Sequence, residues 1–153
     1  MIYEIHHKRR SDIFLSTDKS KLDITAIHNF LKTSYWARNI SVSVVEKSIK
    51  NSLCFGLYEN KKQIGFAKVI SDYAASALLR DVFILELYQG QGLGKWLIEH
   101  ILVHPELQNV PKWLLGTKDA HELYRRYGFE NLTAPETLMI RSNSKVNNLT
   151  RET

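Results

Sequence analysis

The chain has 153 residues, enough for one domain with a real core, and its 44% hydrophobic and 24% charged residues exclude a disordered or fibrous protein. No apolar run approaches the roughly 18 residues of a membrane helix, and residues 1–10 lack the apolar core and cleavage site of a secretory signal, so a cytoplasmic location is expected. A single cysteine, Cys54, rules out an internal disulfide and suits a reducing compartment, while the net charge of +5 comes from 21 basic residues spread along the chain, which suits a phosphorylated small molecule as well as nucleic acid.

In chain order, residues 13–17 read as a short strand and residues 18–23 as a polar turn. A helix follows, capped by Asp23, with Leu22, Ile27, Phe30 and Leu31 at helical spacing, and it ends near residues 33–38 in the aromatic pair Tyr35 and Trp36. A second helix over residues 43–52 turns Val44, Val45 and Ile49 to the core. Residues 53–59 are a strand, residues 60–62 a tight turn, residues 63–70 its antiparallel return, and residues 77–85 a third strand after a turn containing Asp72 and Tyr73. Leu93, Leu97, Ile98, Ile101 and Leu102 form the buried stripe of a helix that His104 and Pro105 terminate. Residues 113–117 make a short buried strand, and Asp119 caps a helix that runs to a stop at Gly128. A last hairpin is expected to pair residues 129–133 with 137–141, which puts residues 1–141 in one domain and leaves residues 142–153 as a loose polar tail.

The junction after the third strand carries the strongest chemical signal. An apolar strand runs into Gln89, Gly90, Gln91, Gly92, Leu93, Gly94 and Lys95 and directly into a helix. Glycines allow close backbone approach, and the free N–H groups of a first helical turn, backed by the helix dipole, attract an anion such as phosphate. The Walker loop does not fit, since three residues rather than four separate Gly90 from the Gly94 and Lys95 pair, and Trp96 stands where Ser or Thr is needed. The even spacing of Gly90, Gly92 and Gly94 also departs from the dinucleotide fingerprint. A ligand-free glycine turn is the plain alternative.

The run from Gln89 to Gly94 resembles the pyrophosphate loop of the GNAT superfamily of N-acetyltransferases, in which Gln or Arg is followed by two residues, Gly, one residue, and Gly or Ala. About thirty residues later, Leu123, Tyr124 and the Gly128-Phe129 pair resemble the family's second marker, a leucine-tyrosine helix ending in Gly-Phe. The resemblance covers residues 53–130 and extends to the element order. It implies an α+β fold with α/β/α layers and a mixed, mostly antiparallel sheet splayed at the cofactor site. It also implies transfer of an acetyl group from acetyl-CoA to a primary amine, on a small molecule or an exposed amino group, by direct attack in a ternary complex.

The same resemblance implies that Phe83 and Ile84 pair through their main chains with the pantetheine arm and that the amides from Gln89 to Lys95 hold the diphosphate, with an N–H near Ile84 as donor to the thioester oxygen. Tyr124 is the candidate acid for the departing thiolate, or else only packs against the cofactor, and His121 on its helix is expected near the cofactor. For the base, Asp81 comes first, as a carboxylate in an apolar strand, and Asp72 second; Asp81 reads equally as a structural acceptor paired with Arg80, Arg125 or an amide. Tyr35, Trp36 and Tyr73 are candidate walls of an acceptor pocket, or core aromatics. No metal site is read in the histidines, and Cys54 reads as core. An acyl-CoA sensor without turnover is the alternative function. Nucleic acid and membrane are not expected as partners, and pairing into a homodimer is left open.

Overall fold

The computed structural model describes residues 1–143, and residues 144–153, most of the expected polar tail, lie outside the described residues. Ten principal elements follow in order: β1 (Glu4–His6), β2 (Ile13–Ser16), α1 (Ile24–Leu31), α2 (Val42–Lys50), β3 (Leu53–Glu59), β4 (Lys62–Ser71), β5 (Ser76–Ile84), α3 (Leu93–Leu102), β6 (Lys112–Leu115) and α4 (His121–Arg125). The strands form one sheet in the order β1 to β6, antiparallel up to β5 and parallel between β5 and β6. This is the mixed, mostly antiparallel α+β architecture that the sequence leads one to expect.

Both faces of the sheet are covered, as its apolar central strands require. On one face Phe55, Leu57, Ala67 and Val69 pack against Leu93, Leu97, Ile98 and Ile101 of α3. On the other, Cys54, Phe66 and Phe83 pack against Ile27 and Leu31 of α1 and Val45 and Ile49 of α2. Each fully buried side chain of this size contributes about 1.5–3 kcal/mol. Burial also pushes the Cys54 thiol up to about 11, which leaves it neutral and unreactive in the second of these cores.

Asp23 caps α1 as expected, its carboxylate accepting from the Ala26 amide at 3.0 Å. Three expectations need correction, and one strand went unread. β1 had no sequence signal, because three residues with only Ile5 half-buried cannot show an alternating pattern. Val44 faces solvent at 52% exposure: Ser41 caps α2, and the i, i+4 pair Val45 and Ile49 takes the buried stripe. Asp119 does not cap α4; the Ala120 amide donates instead to Thr117 Oγ1 at 3.0 Å, and the helix starts without a side-chain cap. The last hairpin is not formed among the described residues. Pro135 opens a 3-10 turn there, and Met139 and Ile140 are each 96% exposed.

A buried histidine gives the fold a pH limit. His104 is fully buried, accepts the Glu106 amide on Nδ1 at 3.2 Å, and meets the rings of Tyr3 and Phe55 edge-on at 5.3 and 5.7 Å. Burial pushes its pKa below the ordinary value of 6.5. The unfolded chain therefore binds a proton at a pH where the folded chain does not, so stability is complete above about 6.5 and declines as the pH falls below it. Thermal midpoints at pH 7.5 and 5.5 should show this decline, and His104→Asn, which keeps a capping oxygen, should flatten it; an equal decline in both proteins would place the titrating group elsewhere.

Candidate active site

β5 and β6 pair only from Ser76 with Lys112 to Leu79 with Leu115. Beyond Leu79, β5 continues to Ile84 while the chain after β6 turns away through Gly116 to Ala120, and the sheet splays into a cleft of about 680 Å³. Arg80, Asp81 and Val82 form its floor on the β5 side, Thr117 to Ala120 the opposite bank, with Tyr35 and Trp36 at one wall and Tyr124 at another. Leu132 and Leu138, from the segment that forms no hairpin, complete the apolar lining. An open strand edge facing a lined cleft accepts an extended ligand arm as an added strand.

The strand is bulged at the splay. Lys68 pairs with Arg80 and Phe66 with Phe83, so β5 carries one residue more than β4 across this interval. Asp81, at φ 54°, occupies the left-handed region there, a conformation that re-aims its peptide groups. Its side chain is 8% exposed and fully engaged: Trp36 Nε1 donates to Oδ1 at 2.8 Å, and Lys68 Nζ lies 2.8 Å from Oδ2. Lys68 in turn donates to Ser48 Oγ of α2 at 2.6 Å. The partner of Asp81 is thus Lys68, neither Arg80 nor Arg125. The signal was present as the lone charge in the apolar run of residues 64–70 of β4, but its strand register could not be read from sequence.

Tyr35 closes the mouth of the cleft, its hydroxyl accepting the Lys118 amide at 3.1 Å and its ring standing 5.1 Å from that of Trp36. Tyr124 is buried, and burial pushes its phenol above the ordinary value of 10.0, so the hydroxyl stays protonated at neutral pH. Asp72 and Tyr73 are not among the residues that line the cleft. The Asp72 carboxylate accepts the amides of Ala74, Ala75 and Ser76 and shapes the exposed β4–β5 turn. Those amides hold its pKa below 3.8, which makes it a poor base as well as a distant one. His121 is exposed at the start of α4 and does not line the cleft either.

At the other end of β5, Gln89 Nε2 donates to the Ile84 carbonyl at 2.8 Å, which folds the following loop back on the strand. Gly90 and Gly92 have φ of 77° and 78°, and a Cβ at either would meet nothing within 4 Å. Gly92 caps α3 without a side chain, and the first amide of the helix to find a backbone acceptor is that of Trp96, on Gly92. Among the described residues the amides from Gly90 to Lys95 have no acceptor, so a run of free donors stands at a positive helix end. The donor set and the open glycines fit a diphosphate, and the cleft over residues 80–82 of the same strand fits the arm of coenzyme A, although no residue from 83 to 95 lines that cleft.

The family model for the acetyltransferase (GNAT) domain matches residues 50–131, just over half the chain and both motif segments. The chain belongs to the GNAT family of acetyltransferases. A crystal structure of a GNAT-family protein from Xanthomonas campestris is 44% identical, covers 85% of this chain and 92% of its own, and superposes with a TM-score of 0.82. The chloroplastic GCN5-related N-acetyltransferase 2 of Arabidopsis thaliana is 34% identical over 65% of this GNAT chain and 40% of its own length. A GNAT-family acetyltransferase from Elizabethkingia anophelis with acetyl-CoA bound shares the fold, with a TM-score of 0.61 at 16% identity, 78% of this chain and 76% of that one being covered. No helix among the described residues of this GNAT protein is long and apolar enough to cross a membrane.

Proposed function

We propose that this GNAT protein transfers an acetyl group from acetyl-CoA to a primary amine, on a small molecule or an exposed amino group, by direct attack within a ternary complex. One observation carries the reading. The row of unpaired amides from Gly90 to Lys95 and the bulged, open edge of β5 lie in sequence along one strand and its loop, with Tyr124 across the cleft.

Acetyl-CoA would supply an activated acyl group on a thiol leaving group. The loop amides and the dipole of α3 would bind its diphosphate, and the free edge of β5 near Val82 to Ile84 would orient its arm. A main-chain N–H of this bulged stretch would be the donor that stabilises negative charge on the carbonyl oxygen. Tyr124 Oη holds the proton needed by a departing thiolate. Its raised pKa makes the transfer modest in driving force, so its value lies in placement. Asp81 is the carboxylate at the cleft floor, and it takes the amine's proton directly or through water only by exchanging its hydrogen bond from Trp36. Tyr35 and Trp36, with Leu132 and Leu138, offer the acceptor an apolar and aromatic enclosure.

Coenzyme A release in the presence of an amine panel tests the activity. Tyr124→Phe is expected to lower turnover about ten- to a hundredfold with little change in acetyl-CoA affinity. Equal turnover in the variant would remove the acid role. The engagement of both Asp81 oxygens favours, as second reading, a module that binds acyl-CoA without turnover; saturable binding with no amine-dependent release across the panel would select it.

A further inference from the structure

The glycine loop is held by a polar network that reaches it from the other end of the sequence. Arg10, in the turn between β1 and β2, places one guanidinium nitrogen 2.8 Å from Gln91 Oε1 and the other 2.9 Å from Glu59 Oε2, with Asp12 Oδ2 at 3.5 Å. The second oxygen of Glu59 accepts the Tyr88 hydroxyl at 3.0 Å. Glu59, the last residue of β3, thus grips the approach to the loop at Tyr88 directly and its crest at Gln91 through Arg10. The turn carrying Arg10 is itself braced. His7 Nδ1 accepts the amides of Arg9 and Arg10 at 3.1 and 3.2 Å, the Asn60 amide donates to the Asp12 carbonyl at 2.7 Å, and the His7 ring lies 5.1 Å from Trp96 of α3.

Gln91 stands between Gly90 and Gly92, both at positive φ, and is the one residue of that trio with a side chain that can be anchored. Two glycines give a loop the conformational freedom an anion cradle needs, and that freedom is lost when the anion binds. A tether that restricts the crest beforehand removes part of the cost. Arg10 is suited to this role and not to holding a phosphate, because Glu59 and Asp12 already offset its charge and its planar fork is shared between Glu59 and Gln91.

We propose that Arg10 is a positioning residue of the diphosphate loop, ordering residues 89–92 through Gln91 before the ligand arrives. The proposal rests on the reading that this loop takes the diphosphate of coenzyme A. Arg10→Ala should raise the KM for acetyl-CoA about tenfold while kcat at saturation falls less than twofold, and should lower the backbone amide order parameters of residues 89 to 95 in the free protein. Gln91→Ala, a change at an exposed side chain that leaves the fold intact, should reproduce both effects. The double variant should add little to either single one, and Arg10→Lys, which keeps the charge without the fork, should recover only part. Fully additive losses, or unchanged order parameters at 89–95 in both single variants, would overturn the tether. The two readings separate cleanly: a loop loosened by Arg10→Ala in a chain that binds no coenzyme A keeps the tether and removes the ligand, whereas coenzyme A binding with no response to Arg10→Ala removes the tether and keeps the ligand.

Discussion

Replacing Lys68 with methionine is expected to lower the unfolding free energy by about 3–5 kcal/mol, the usual cost of leaving a buried charge without its partner. The side chains of Lys68 and Asp81 are 11% and 8% exposed and meet at 2.8 Å, so neither is screened as a surface pair would be. Methionine matches the volume of the lysine stem, and the loss is therefore electrostatic rather than a cavity. With Lys68 gone, the Asp81 carboxylate keeps only the indole N–H of Trp36. Adding Asp81→Asn should restore most of the stability, because a neutral amide oxygen still accepts from Trp36 and a buried ion pair exchanged for neutral groups is often close to isoenergetic. Urea denaturation of both single variants and the double variant checks this; a loss below about 1 kcal/mol for Lys68→Met would mean that the pair is effectively solvated. The same cycle bears on activity, since Lys68 joins α2, through Ser48, to the bulge and so fixes the floor of the cleft.

Gly92→Val is expected to reduce acetyl-CoA affinity by about a hundredfold or more, about 2.8 kcal/mol at 1.4 kcal/mol per decade. Gly92 has φ 78°, where an L residue costs about 1–2 kcal/mol and a β-branched one more. The added side chain meets no protein atom within 4 Å of its Cβ, so the damage does not come from a clash inside the fold. It arises because relaxing φ rotates the amides of the first turn of α3 away from their common target, and because the new methyl groups occupy the space in front of them. Stability should fall by no more than the backbone cost, while calorimetric affinity falls much further. Matching losses in both would show that the loop has only a structural role.

The segment from β3 to α4 was legible because its signals are local and redundant. Near-continuous apolar runs mark β3 and β4, the glycines punctuate the start of α3, and Gly128, at φ 89°, stops the last helix. What was not legible depends on register and partnership. The Lys68 and Asp81 pair follows from which residues of β4 and β5 lie opposite each other across a bulge, and the anchoring of Gln91 by Arg10 spans 81 positions. Asp119 was read as a cap by residue type, yet Thr117 reached the free amide first and left Asp119 at the edge of the cleft. The expected final hairpin had the apolar content of strands but, with Pro135 between them, no place in the sheet beside β6.

The central claim is that main-chain donors from 89 to 95 hold the diphosphate of coenzyme A. The most direct measurement follows the backbone amide resonances of Gly90, Gly92 and Gly94 while coenzyme A is titrated into the protein. The account predicts that all three move saturably, with one dissociation constant that agrees with calorimetry, and that Gly92→Val abolishes the response at the same concentrations. Saturable binding that leaves these three resonances in place, or no binding at all, would contradict it.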